Sequence, residues 1–278
     1  MIAIAPRLKY NPGMILLISP TKQMDFESEL SVDIQRLKDV DGWGKPFFTS
    51  ESVWINEKLS KLKQQELESL MNISPAISAG VMRMIGNFGT AAGKTRPAAA
   101  AYSGTVFKAI DFTVLGKVEL RFAQSHLRIL SGMYGLLKPF DGIEAYRLEM
   151  KTPLHIDSRQ KLLSFWKDRL AFRLAEEEML KDVNVPILNL ASGEYMKAVD
   201  KAILPNPVIS ISFKEQNNNI LKTIGMYSKT ARGQMVRMIL QDKISEPEAL
   251  KSMAVGEYRF SADHSSDSNW IYIRREYV

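Results

Sequence analysis

The run Met14–Ser19 (MILLIS) constrains the fold more than any other segment. It is apolar up to its final serine, too short for a helix and halted by Pro20, so it reads as a fully buried strand. A second run, Pro186–Leu190 (PILNL), reads the same way. Each passes directly into polar residues, Ser19-Pro20-Thr21-Lys22 after the first and Ser192-Gly193-Glu194-Tyr195 soon after the second. Ligands of α/β-type sheets collect at such strand ends, and Ser192 is placed to cap a short helix through Val199.

Apolar spacing predicts further helices over 51–71, from Ser74-Pro75 onward, over 118–130, 162–179 and about 227–241. Extended segments are expected at 98–103, 208–213, 220–224, 258–260 and 270–274, with 216–219 as a hairpin turn. Helices and strands intermix without strict alternation, repeat or linker. The expectation is one α+β domain over 14–278, with a mixed central sheet, surrounding helices and a helix-hairpin-helix element. Residues 1–13, broken by Pro6, Pro12 and Gly13, are expected to form a flexible extension and not a signal peptide.

Composition narrows the function classes. With 45% hydrophobic and 24% charged residues, the 278-residue chain is neither a disordered tail, a collagen-like fibre nor a coiled coil. It has no cysteine, which excludes disulfide scaffolds, thiol catalysis and cysteine-based metal sites. His126, His155 and His264 lie far apart, so neither a metal site nor a cofactor is expected. The longest apolar run is far below the roughly 20 residues that span a bilayer, so a cytoplasmic protein without a membrane partner is expected. A net charge of +6 points to a polyanionic partner.

Six segments carry residues suited to that chemistry. Leu67–Ser78 fits a helix-hairpin-helix, with Asn72-Ile73-Ser74 where Gly-Ile-Gly is usual; such a hairpin aims backbone amides at a phosphate, and the plain alternative is an αα-hairpin. The Gly132–Gly135 turn, flanked by Arg128, Ser131 and Lys138, reads as an anion cradle or as a simple turn. Arg147 and Glu149 share one side of an extended segment, as an internal ion pair, a binding pair or a solvated surface pair. Ser192, Glu194 and Tyr195 make a possible ligand pocket, and Glu194 could instead pair with Lys197. Lys229, Arg232 and Arg237 fall within an arc of roughly 140° on one helix, where Gly233 would let a ligand approach. Lys22, just after the first buried strand, is a phosphate ligand, a Schiff-base amine or an ordinary surface lysine.

The stretches ISPTKQMDF (18–26), LESLMNIS (67–74), HLRILSGMYGLLKPFDGIEAYRLEM (126–150), LLSFW (162–166), NLASGEYMKAV (189–199), YSKTARGQMVR (227–237) and GEYRF (256–260) resemble the YaaA peroxide-stress protein family. The resemblance runs from Met14 almost to the C-terminus. It implies a cytoplasmic bacterial protein that protects against hydrogen peroxide, an effect on intracellular iron, and an α+β fold peculiar to the family. It also implies binding of double-stranded or structured DNA through a basic cleft and a helix-hairpin-helix. On that reading Asn72, Ile73 and Ser74 form the hairpin contact. Lys22, Arg128, Arg147, Lys229, Arg232 and Arg237 are the candidate cleft lining. Two function classes follow, a non-catalytic DNA binder and an enzyme acting on nucleic acid or a nucleotide-like substrate. Direct iron binding is disfavoured by the absent cysteines and scattered histidines.

Overall fold

The computed structural model describes residues 13–218 and 220–275. The expected N-terminal extension therefore lies outside the described residues, apart from Gly13. The strands are β1 (Ile15–Ile18), β2 (Arg96–Pro97), β3 (Leu127–Ser131), β4 (Gly135–Leu137), β5 (Gly142–Ile143), β6 (Ile187–Asn189), β7 (Val208–Asn217), β8 (Ile220–Lys222), β9 (Arg259–Phe260) and β10 (Asn269–Arg275). The helices are α1 (Val32–Asp41), α2 (Thr49–Ser60), α3 (Gln64–Met71), α4 (Pro75–Asn87), α5 (Ala98–Ala101), α6 (Thr105–Ile110), α7 (Lys117–His126), α8 (Leu162–Ala175), α9 (Gly193–Met196) and α10 (Gly225–Asp242).

Together they make one α+β domain around a mixed sheet. Its centre is parallel, in the order β3-β1-β6-β7-β10. Antiparallel β4 and β9 close the two ends and β8 turns back on β7. β1, β3 and β6 are buried at every position, as the apolar runs require, whereas β7 alternates. The chain leaves β1 toward β3 and later returns to β1's other side as β6, then steps outward to β7. Connections therefore diverge at the β1–β6 boundary, which opens a crevice at the C-terminal ends of those two strands.

Three elements differ from the sequence expectation. The helix expected over 51–71 is broken into α2 and α3 at Lys61–Lys63. The strand expected over 98–103 is a single helical turn, α5, because Ala98 and Ala99 donate their amides to Asp141 and Pro139 while Tyr102 closes back on Ala98. The helix expected over 118–130 stops at His126. The next five residues become β3, whose Leu127, Arg128 and Ile129 align with Leu16, Leu17 and Ile18 of β1.

The Gly132–Gly135 segment is the tight connection between β3 and β4, not an anion cradle. Its two central amides are already used: Ser131 Oγ accepts from Met133 and Tyr134 N–H and pairs with the Tyr146 hydroxyl at 2.8 Å. Gly135 sits at φ +66°, and a Cβ there would come within 2.6 Å of the Trp166 ring, whose indole N–H donates to Gly132.

Asp141 supports this region by accepting the Lys138 amide at 2.8 Å. Burial pushes its pKa from near 3.8 up to about 6. The native state thus holds a proton that the unfolded chain releases between those values. The stability due to that proton is fully present below 3.8 and is lost as pH rises through 6. The neutral variant Asp141→Asn should remove this dependence and exceed wild type by about 2–3 kcal/mol at pH 7.5. Denaturant midpoints measured across pH 4–8 would check it.

Candidate functional site

The crevice between β1 and β6 is a cleft of about 480 Å³. Ser19–Gln23 line it from the end of β1, and Leu190, Ser192, Glu194 and Tyr195 from the end of β6. The start of α6 supplies Gly104, Thr105 and Val106, the segment before Lys151 supplies Glu149, and α10 supplies Lys229 and Arg232.

Local structure fixes each group. Ser192 stands at the N-cap position of α9, but its hydroxyl caps nothing. Instead its amide donates to Ser19 Oγ at 2.8 Å and the two hydroxyls lie 3.3 Å apart, tying the two strand ends together. The loop after β1 is held by backbone bonds from Ser103 to Gln23 and from Asp25 to Ala101. Thr21 fills the space beside Gly104, where a Cβ would meet its hydroxyl. Gly233 serves packing, not ligand approach: a Cβ there would lie 2.4 Å from the Val106 carbonyl oxygen, so α10 presses directly on α6. That contact sets Lys229 and Arg232 opposite the β1 loop.

Charge in the cleft is unevenly matched. Lys22 donates to Glu149 at 2.8 Å. Lys151 lies 3.7 Å from Glu149 and 3.5 Å from Glu194, bridging the two carboxylates. Glu194 therefore pairs with Lys151 and not with Lys197. Lys229 and Arg232 have no carboxylate partner among the described residues. Burial pushes the Arg232 pKa down, with no opposing charge to offset it. It also pushes the Tyr195 phenol well above its ordinary range, so this hydroxyl stays protonated. Behind it the buried Tyr102 and Tyr146 hydroxyls lie 2.6 Å apart, and burial pushes Tyr146 up to about 12.

The structure thus brings together Lys22, Ser192, Glu194, Tyr195, Lys229 and Arg232. Three other predicted cations stand elsewhere. Arg128 is only 2% exposed, because its segment is strand and not helix. It makes a two-pronged bond to Glu177 at 3.0 and 2.8 Å and donates to the Gln124 and Leu127 carbonyls. Arg147 lies among Asn56, Leu59, Met84 and Phe88, apart from Glu149, because residues 144–149 form no regular strand and the two-residue alternation that would align the pair is not kept. Arg237 sits two helical turns beyond Lys229 and lies 3.8 Å from Asp111. Sequence reasoning missed Lys151 and the Gly104–Val106 turn. A lysine two residues after Glu149 is the single local signal for the former.

Asn72, Ile73 and Ser74 form the turn between α3 and α4. Asn72 adopts the left-handed conformation at φ 50° and Pro75 opens α4, with Asn72, Ser74 and Pro75 exposed. Beneath the turn Ser78 Oγ bonds Glu68 at 2.6 Å and Gln64 at 2.9 Å, clamping the two helices together.

A family model described as peroxide stress protein YaaA matches residues 14–264. The chain belongs to the YaaA peroxide stress protein family. A UPF0246 protein of Alteromonas mediterranea is 36% identical over 265 residues, 95% of this chain and 99% of that relative. UPF0246 proteins of Burkholderia lata and Francisella philomiragia are each 34% identical over 94% of this chain, and 99% and 100% of their own lengths. Every cleft residue of this YaaA family member lies within the matched span. None of its helices, among the described residues, is long and apolar enough to cross a membrane.

Proposed function

We propose that this YaaA family member acts in the cytoplasm by binding double-stranded or structured DNA through its phosphates, with little sequence preference. The observation that carries the reading is the pair Lys229 and Arg232, which line the cleft without a carboxylate partner among the described residues. Lys22 and Lys151 add positive charge at the same opening, so four cations face two carboxylates. Lysine and arginine contacts to phosphate fix position and carry no base information. The exposed turn at the start of α4 is the second contact, since the N-terminus of a helix attracts anions.

Affinity for a short duplex should fall steeply with salt, and Lys229→Ala should weaken binding to all sequences alike and reduce the log–log slope by about 1. Affinity unchanged between low and physiological salt would defeat the reading. Asn72→Asp, which adds charge at nearly constant shape, should weaken binding roughly tenfold. Unaltered affinity in a folded Asn72→Asp protein would make the α3–α4 turn purely structural.

A second reading, an enzyme acting on nucleic acid or a nucleotide-like substrate, is favoured by one observation. Glu149 and Glu194 share the cleft and are bridged by Lys151, an arrangement suited to acid–base work. Chromatography of DNA and nucleotides after incubation with wild type and Glu194→Gln would test it, a Glu194-dependent product being the supporting result.

A further inference from the structure

Two side-chain atoms of cleft residues are buried and have no hydrogen-bond partner among the described residues: Nε of Arg232 and Oε1 of Glu194. One is a hydrogen-bond donor carrying positive charge, the other an acceptor carrying negative charge. Unserved buried groups of this kind cost stability, and a bound ligand, water or ion is what offsets that cost. A DNA duplex lying across the opening would place phosphates at Lys22 and Lys229 on the rim, but its stacked bases would not reach Glu194 on the inner wall. A cleft of about 480 Å³ has the volume of a small-molecule pocket. The ligand that serves both orphans carries an anion at one end and an N–H donor at the other, and spans no more than one pocket. Tyr195, kept protonated by burial, gives this pocket an aromatic wall with a hydroxyl at its edge.

We propose that the cleft takes a single nucleoside monophosphate unit, its phosphate on Lys229 and Arg232 and an N–H of its base on Glu194. This rests on the DNA reading for the choice of a nucleotide over other small phosphates. The unit comes from one of two sources, a free nucleotide or a nucleotide swung out of a DNA strand, and the pocket chemistry is common to both. Extrusion requires breaking stacking and pairing, which the two otherwise unserved groups help to offset.

The test uses the full chain with two probes. In the first arm, deoxyguanosine monophosphate is titrated by calorimetry at physiological salt. In the second, a duplex with 2-aminopurine at its centre is titrated with protein, and fluorescence reports unstacking. A saturable response is expected in at least one arm, weakened at least tenfold by Glu194→Gln and by Arg232→Met. The arm that responds identifies the source. Arg232→Met has no hydrogen bond to lose among the described residues, so it should fold as wild type does and keep the test decisive even if Glu194→Gln unfolds. No response in either arm overturns the proposal, as does a response that Arg232→Met leaves unchanged. Inorganic phosphate competing as tightly as the nucleotide would also overturn it, by removing the base contact. Salt-dependent duplex binding with both arms silent would leave the DNA reading standing and this one fallen. Nucleotide binding without duplex binding would do the reverse.

Discussion

Glu177→Ala should destabilise the protein by about 3–5 kcal/mol, because it strands a buried guanidinium. Arg128 lies within the sheet on β3, and among the described residues its partners are internal: both oxygens of Glu177 and the carbonyls of Gln124 and Leu127. Burial pushes the Glu177 carboxyl up, but the hydrogen bonds and charge of Arg128, with Arg173 3.4 Å away, outweigh this and hold its pKa below the ordinary value. Removing the carboxylate leaves the cation with neither water nor counter-charge. Removing both members is a different case. The double variant Arg128→Met with Glu177→Leu should recover most of the loss, since an apolar pair of similar volume avoids the desolvation cost. Denaturant unfolding of the two proteins beside wild type would check both figures. A Glu177→Ala protein within 1 kcal/mol of wild type would contradict the buried pair.

Gly233→Ala should cost about 2–3 kcal/mol and weaken ligand binding in the cleft at the same time. By helix propensity alone the substitution would stabilise an α-helix by roughly 1 kcal/mol, so a loss has the opposite sign to the local expectation. The cause is tertiary. The new Cβ would lie 2.4 Å from the Val106 carbonyl oxygen and 2.6 Å from the Ala109 methyl, so α10 must lift from α6. Arg232 is adjacent in sequence and Lys229 is one turn away, while Val106 lines the facing wall, so the lift moves the cations relative to the β1 loop. Thermal unfolding and duplex titration of the same variant would show the two effects together. A gain in stability would mean the two helices are not in direct contact at this point.

Much of the candidate site is legible in sequence because it hangs on the two most legible strands. Short apolar runs with no polar face specify burial on both sides, and whatever follows them emerges at the sheet's end. Ser19, Lys22, Ser192, Glu194 and Tyr195 are found this way. The 127–131 segment is less tractable. Its leucines and isoleucine satisfy both a continuing helix and a buried strand, and its alignment on β1 makes it a strand. Taken as helix, it puts Arg128 on a surface; as strand, it puts Arg128 inside, opposite a glutamate 49 positions away. Gly233 illustrates the same limit: beside Arg232 it reads as room for a ligand, whereas α6 occupies that room.

Chain chemistry alone determined the local pieces of this protein: the buried strands, the turn at Asn72–Ser74, the basic face of α10, the positive net charge and the absence of cysteine. These follow from the size, polarity and backbone freedom of neighbouring residues, and neighbours are known from the sequence. Tertiary structure decided which cations share a cleft, which carboxylates answer them and which are withdrawn into the core. Those outcomes depend on strand order. The chain passes from β1 to β3 on one side and returns as β6 on the other, so residues 19–23 and 190–195 meet although some 170 positions separate them, and α10 arrives over both. Hydrogen bonds vanish within a few ångströms and charge interactions are screened within about 10 Å, so such a site has no energy of its own until the fold has closed that distance.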